Sequence, residues 1–234
     1  MKRIHLTPRL QMTAELVPRG ARLADIGTDH AYLPAALLQE GKIPFAIVSD
    51  LRQGPLERAR ATVRACGLYH QTAFRLCDGL RGFRREELDA AVIAGMGGET
   101  IAEILENAPW TSWEGFALVL QPMSSMPELR GRLREKGFCI AEERLAREGD
   151  TLYTALLVRA GEMPPMTPAE LWAGRNSPDP LRGDWLELWL VKTRRALEGV
   201  SQSSTPAALA RRGELEEVSS GLEEMKKEWK RWQL

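Results

Sequence analysis

The stretch Phe138–Val158, FCIAEERLAREGDTLYTALLV, holds two strand-like runs, Phe138–Arg144 and Leu152–Val158, with the turn Glu148-Gly149-Asp150 between them. A parallel crossover needs about a dozen residues or more, so these strands must pair as an antiparallel hairpin. Upstream the pattern changes. Short apolar runs recur at Arg22–Ile26, Phe45–Asp50, Thr72–Leu76, Ala90–Ala94 and Ala117–Leu120. Helix-period segments of about 10 to 14 residues are expected between them. In Pro55–Ala65, Leu56, Ala59 and Val63 share one face, and in Glu99–Asn107, Ile101, Ile104 and Leu105 do. Such alternation predicts an α/β fold, a doubly wound sheet of five parallel strands closed by the hairpin, seven strands in all.

The chain has 234 residues, 44% hydrophobic and 27% charged, with 32 basic against 32 acidic side chains. That suffices for one full-sized core and a small appendage. Zero net charge argues against a histone-like basic coat. No apolar run approaches the ~20 residues of a membrane span, and Met1-Lys2-Arg3-Ile4-His5 leads into no apolar signal region. Cys66, Cys77 and Cys139 lie far apart with no Cys-x-x-Cys pair, so neither a disulfide framework nor a zinc ribbon is expected. The expectations are a cytoplasmic monomer, no membrane and no metal.

Charge is uneven along the chain. In residues 1–22, Lys2, Arg3, Arg9, Arg19 and Arg22 oppose only Glu15, which suits either a polyanion contact or a solvated helix face. After Ala160, Pro164, Pro165, Pro168, Pro178 and Pro180 suggest a linker over 161–180. Leu181, Trp185, Leu188 and Trp189 then follow helical spacing, Ser201–Pro206 breaks the chain, and Leu215, Val218, Leu222, Met225, Trp229 and Trp232 recur in steps of three and four. This predicts an antiparallel two-helix coiled-coil hairpin over 181–234, behind a sheet domain over 1–160 that includes the basic amino-terminal helix. The Trp185/Trp189 and Trp229/Trp232 pairs suit seam packing, or base-stacking platforms.

Ligands of open α/β sheets lie beyond the carboxyl ends of the strands, where strand order reverses. Four loops therefore matter. The first, Asp25-Ile26-Gly27-Thr28-Asp29-His30-Ala31-Tyr32-Leu33-Pro34, lacks the Gly-x-Gly-x-x-Gly of a dinucleotide site; only Gly27 remains, flanked by carboxylates. A pyrophosphate would be repelled there, whereas an ammonium and a sulfonium would be attracted, and S-adenosylmethionine carries both. Alternatively, Asp29 caps the next helix and Asp25 merely ends a strand. The second loop starts at Asp50-Leu51, where a carboxylate can accept both ribose hydroxyls. The third, Asp78-Gly79-Leu80, can accept from an adenine amino group, though Asp-Gly is also ordinary turn chemistry. The fourth, Ala94-Gly95-Met96-Gly97-Gly98, reads as an open glycine shelf for a planar base, or as a tight turn into a helix starting at Gly98. It has no Asn/Asp-Pro-Pro-Tyr clamp, which weakens an exocyclic-amine acceptor.

These strings, with Gly54-Pro55-Leu56, Leu120-Gln121-Pro122 and Leu6-x-x-Arg9-Leu10, resemble the bacterial tRNA (adenine-22-N1)-methyltransferase family over about residues 4–158. The resemblance implies a class I (Rossmann-like) methyltransferase domain with a carboxy-terminal coiled-coil domain, S-adenosylmethionine as cofactor and tRNA as partner. The cofactor side is then expected at Asp25, Gly27, Thr28, Asp29, His30, Asp50, Leu51, Asp78, Gly79, Ala94 and Gly95. The reacting centre is expected at His30, Tyr32, Gly95, Met96 and Gly97, and the substrate side at Lys2, Arg3, Arg9, Arg19, Arg22, Gln121 and Pro122. Two departures stand out: Met123 falls where members commonly read Asn, and Asp50 where some carry Glu, a change that keeps the ribose contact.

The adenine N1 lone pair lies in the ring plane, so in-line transfer needs positioning more than a strong base. Because N1 is on the Watson–Crick edge, the adenine must leave its stack first. The alternatives are a methyltransferase of another RNA base or of a small molecule, and a non-enzymatic RNA-binding module.

Overall fold

The computed structural model describes residues 2–202 and 204–233; Ser203 of the expected Ser201–Pro206 break and Met1 lie outside the described residues. The elements are α1 (Pro8–Leu16), β1 (Arg22–Ile26), α2 (Tyr32–Gln39), β2 (Phe45–Asp50), α3 (Gln53–Ala65), β3 (Thr72–Leu76), β4 (Ala90–Gly97), α4 (Gly98–Glu106), β5 (Ala117–Ser124), α5 (Met126–Glu135), β6 (Phe138–Glu148), β7 (Thr151–Ala160), α6 (Pro168–Ala173), α7 (Arg182–Val200) and α8 (Pro206–Trp232). The chain divides into two compact units, Met1–Ser125 with Arg132–Met163, and Met126–Gly131 with Pro164–Leu234.

The first unit is built on a seven-stranded sheet of order β3-β2-β1-β4-β5-β7-β6. Strands β1 to β5 pair in parallel, and β7 runs antiparallel to both β5 and β6. The order reverses between β1 and β4, which puts the ligand crevice beyond their carboxyl ends. Central strands covered on both faces must be apolar throughout, and Leu23, Ala24, Ala91, Val92, Leu118 and Val119 are fully buried. One core joins Met12 and Leu16 of α1, Leu33 and Leu37 of α2, and Leu56, Ala59 and Val63 of α3 to the sheet. Ile101 and Leu105 of α4 are buried where that helix packs on β4 and β5.

Two local expectations change. No α-helix joins β3 to β4, only a 3-10 turn at Arg85–Glu87, because Gly79 and Gly82 break the segment. The strands β4 and β5 also run past their expected ends, with register shifts around Met96 that leave Gly95 at φ +77° as a bulge. The glycine-rich string is thus the bulged tip of a strand rather than a free loop.

In the second unit, α7 and α8 pack antiparallel: the Gly183 position faces Trp229, Glu187 pairs with Lys226 and Arg194 with Glu223. Leu215, Val218 and Leu222 are buried as the periodicity requires, while Trp232 is half exposed. The stretch expected as a linker contains α6, which packs on α8. Thr167 caps it reciprocally with Glu170 and Pro168 occupies its first turn. The last carbonyls of α6 are orphaned in so short a helix, and buried arginines satisfy them. Arg130 reaches the Leu171 and Trp172 carbonyls at 2.8 and 3.0 Å, and Arg182 those of Ala173 and Gly174 at 2.5 Å each.

Candidate active site at the carboxyl edge

Strand β1 ends in a turn that only glycine makes cheaply. Gly27 sits at φ +70°, and the amides of Gly27 and Thr28 donate to the Ser49 carbonyl of β2 at 2.9 and 3.0 Å. Thr28 Oγ1 accepts from the Ala31 amide at 3.0 Å, holding Ala31 at φ +55°. Asp25 is buried beneath this turn, and burial pushes its carboxyl up to about 6, against the pull of a hydrogen bond from Thr28. Among the described residues no cation pairs with Asp25, and a buried carboxylate of that kind at a strand tip favours a positively charged ligand. Asp29 does not cap α2, whose amino terminus has no side-chain cap. It pairs instead with Arg58 of α3, which holds its carboxyl below the usual carboxylate range.

A cavity of about 420 Å³ opens between the tips of β1, β2 and β3 and helix α4. Of the expected residues, Gly27, Asp50, Leu51, Asp78, Gly79 and Met96 line it; Asp25, Thr28, Asp29, His30, Ala94 and Gly95 do not. Asp50 Oδ1 accepts from the Arg52 amide at 2.8 Å, and the Asp50 carbonyl accepts from Cys77 at 3.1 Å, which ties the second and third loops together. Asp78 lies 3.4 Å from Arg81. Gly79, at φ +53°, lets α4 approach, since a Cβ there would stand 3.0 Å from Ile104. Sequence reading missed the α4 wall, Thr100, Glu103, Ile104 and Asn107, although the steps of three, one and three are themselves a helix face.

The shelf expected at Gly95–Gly98 is corrected by its geometry. Gly95 supplies a positive φ, and a Cβ on Gly98 would meet the Ser125 carbonyl oxygen at 2.4 Å and that of Ser124 at 2.8 Å, so both glycines answer to backbone packing. The Met96 side chain is not idle either: its Cε fills the space of a Gly27 Cβ, bringing a thioether from the fourth loop onto the first. Only Gly95 is exposed.

The expected substrate residues divide. Gln121 is fully buried at the tip of β5, and its Oε1 accepts from the Gly95 amide at 3.2 Å and from Arg9 Nη1 at 2.6 Å. The Arg9 guanidinium lies 5.7 Å from the Tyr153 ring, and its amide donates to Glu148 at 3.1 Å, so the hairpin turn and α1 together carry Arg9 to the strand tips. Pro122 is buried next to Gln121, with Met123 exposed beyond it. Arg22 is a correction: it begins β1 at the opposite edge of the sheet, where Nε and Nη2 hold Asp89 at 3.0 and 2.9 Å and Nη1 donates to the Glu86 carbonyl at 2.7 Å. Arg19 lies in the turn that enters β1, and the Lys2 backbone bonds to Ala65 and Gln39 at the ends of α3 and α2. Arg22 therefore forms no common patch with Arg9, while Arg3 lines a surface pocket with Leu6 and Gln11. Among the described residues no group of three or more His, Cys, Asp or Glu is placed to hold a metal, and no helix is long and apolar enough to cross a membrane.

Strand order 3-2-1-4-5-7-6 with carboxylates at the tips of β1, β2 and β3 defines a class I methyltransferase domain. A methyltransferase-domain family model matches residues 6–156. The tRNA (adenine(22)-N(1))-methyltransferase of Bacillus subtilis is 36% identical over 162 residues, 69% of this chain and 68% of its own length. The crystal structure of the B. subtilis tRNA methyltransferase TrmK superposes with a TM-score of 0.82 at 30% identity, covering 95% of this chain and 99% of that one. A Streptococcus pneumoniae protein in complex with S-adenosyl-L-methionine superposes with a TM-score of 0.81 at 31% identity, covering 95% and 100%. The chain belongs to the tRNA (adenine(22)-N(1))-methyltransferase family.

Proposed function

We propose that this protein transfers a methyl group from S-adenosylmethionine to N1 of adenine 22 in tRNA. The observation that carries the reading is the cavity of about 420 Å³ at the carboxyl edge, whose wall sets Asp50, Asp78 and Glu103 against Arg52 and Arg81, with the further carboxylate of Asp25 buried behind Gly27. A cavity of this size suits a small-molecule ligand, and its charge suits a cationic one. When bound, the cofactor supplies a methyl group on a sulfonium; the N1–C bond forms as the C–S bond breaks, and the positive charge passes to the purine.

The remaining work falls to the chain. In this reading Asp50 accepts the ribose hydroxyls, and Asp78 with Gly79 meets the adenine of the cofactor. Gly27 meets the cationic end, with the Asp25 carboxylate buried behind it as counter-charge and Thr28 shaping the turn. Gly95, fixed through its amide by Gln121, presents the exposed backbone at the mouth, with Met96 behind it and Gly97 leading into α4. Arg9 stands beside that mouth on the substrate side and serves an incoming phosphate or base edge. His30 and Tyr32 offer rings to an extruded adenine. The reaction demands alignment at about 3 Å and no strong base, because the attacking lone pair is already free. The natural setting is the cytoplasm, with the protein acting as a monomer on tRNA and without a metal.

The test is incubation with labelled S-adenosylmethionine and unmodified bacterial tRNA, followed by mapping of the modified nucleoside. Label in 1-methyladenosine supports the reading; label in another nucleoside, or only in small molecules, replaces it. Calorimetry should find S-adenosylhomocysteine binding and NAD not.

A further inference from the structure

Asp29 does not line the cofactor cavity and takes part in a different arrangement. One carboxylate oxygen, Oδ1, accepts from Arg58 Nε at 2.9 Å and from Nη2 of the same guanidinium, while the other, Oδ2, meets His30 Nε2 at 3.2 Å. The His30 ring lies parallel to that of Tyr32, with centroids 5.1 Å apart and planes 7° off. These rings are two positions apart and stack across Ala31, whose left-handed backbone is held by Thr28. Tyr32 is 38% exposed and the His30 side chain 37%, so the pair is kept parallel at the surface instead of being buried.

Two exposed rings at a loop–helix junction would ordinarily sample several rotamers. Here the order runs from α3 outward: the Arg58 fork fixes the Asp29 carboxylate, Asp29 fixes the imidazole, and the imidazole supports the phenol ring. A preformed aromatic face of this kind binds any unstacked base with little further loss of freedom. We infer that Arg58 and Asp29 are positioning residues that hold His30 and Tyr32 as a stacking face for the extruded purine of the substrate, and that Asp29 is not a ligand of the cofactor. The inference rests on the reading of the substrate given above and narrows the site of its recognition.

The experiment uses the full chain and the variants Arg58→Ala, Arg58→Lys, Asp29→Asn and Tyr32→Ala, with three readouts. These are the affinity for S-adenosylhomocysteine by calorimetry, the kcat and KM for tRNA, and the fluorescence of a tRNA transcript with 2-aminopurine in place of adenine 22, which stacking on a ring quenches. In Arg58→Ala and Asp29→Asn the S-adenosylhomocysteine affinity stays within about twofold of the parent, and the KM for tRNA rises roughly fivefold, as expected for loss of an exposed charge-assisted contact. Arg58→Lys recovers part of the KM, and the quench seen with the parent protein weakens in Arg58→Ala and Tyr32→Ala. A fall in S-adenosylhomocysteine affinity in Asp29→Asn overturns the inference, as does an unchanged quench in both Arg58→Ala and Tyr32→Ala. If the parent protein methylates no tRNA while the quench still depends on Arg58, the proposed function fails and the stacking face stands.

Discussion

Replacing Asp25 by Asn removes a buried charge while keeping shape and the bond to Thr28. In the folded protein the Asp25 carboxyl titrates at about 6 against an ordinary value of 3.8, with burial as the cause. Between those two pH values the folded form keeps a proton that the unfolded form releases, so stability falls as pH rises from about 4 to about 6 and is level on either side. The shift corresponds to about 3 kcal/mol at pH 7. Urea denaturation of the ligand-free protein at a series of pH values reads it directly. Asp25→Asn should match the parent near pH 4 and exceed it by up to about 3 kcal/mol at pH 7. The same group links cofactor binding to pH: a cationic ligand must drive off the Asp25 proton below pH 6, so affinity for S-adenosylmethionine weakens as pH falls, by up to about tenfold per unit. In the variant that dependence disappears and binding is weak throughout. Parallel stability profiles for the two proteins across pH 4 to 7 would refute the reasoning, because the carboxyl would then not be desolvated.

Three further outcomes are expected. Gly98→Ala pushes a methyl group into the Ser124 and Ser125 carbonyl oxygens, which are backbone and cannot swing away, and should cost about 2 to 3 kcal/mol of stability with a lower Tm in calorimetry. Gln121→Leu strips the acceptor from the Gly95 amide and from Arg9, and should cost about 1 to 3 kcal/mol and raise the KM for tRNA, whereas Gln121→Glu keeps the acceptor and most of the stability. Arg22→Ala should leave tRNA affinity and its salt dependence unchanged, while Arg9→Ala weakens binding; the opposite pattern in filter-binding titrations would move the RNA path to the far edge of the sheet.

What could be read in advance follows the range of the interactions. The hairpin is legible because a turn as short as the one around Gly149-Asp150 admits no other connection between the strands. The acids Asp25, Asp50 and Asp78 are legible because each ends an apolar run, which puts it at the ligand edge of any parallel sheet. A local signal of a helix start also lies within the proline-rich stretch, where Thr167-Pro168-Ala169-Glu170 carries a capping box with proline in the first turn. Other features lie beyond any local signal. Arg9 and Gln121 stand 112 positions apart and meet only because α1 packs over the hairpin. The basic residues near the amino terminus read as one segment, yet Arg22 belongs to the opposite edge because Asp89 precedes the neighbouring strand there. The glycines of the β4 tip read as open surface, and the approach of Ser125 to Gly98 could be seen only in three dimensions.

The most direct measurement of the central claim is methyl transfer from labelled S-adenosylmethionine to two tRNA transcripts that differ only in adenine or guanine at position 22. The account predicts one methyl group per adenine-22 transcript, released as 1-methyladenosine, and none on its partner. Equal labelling of the two transcripts, or none on either, would contradict it.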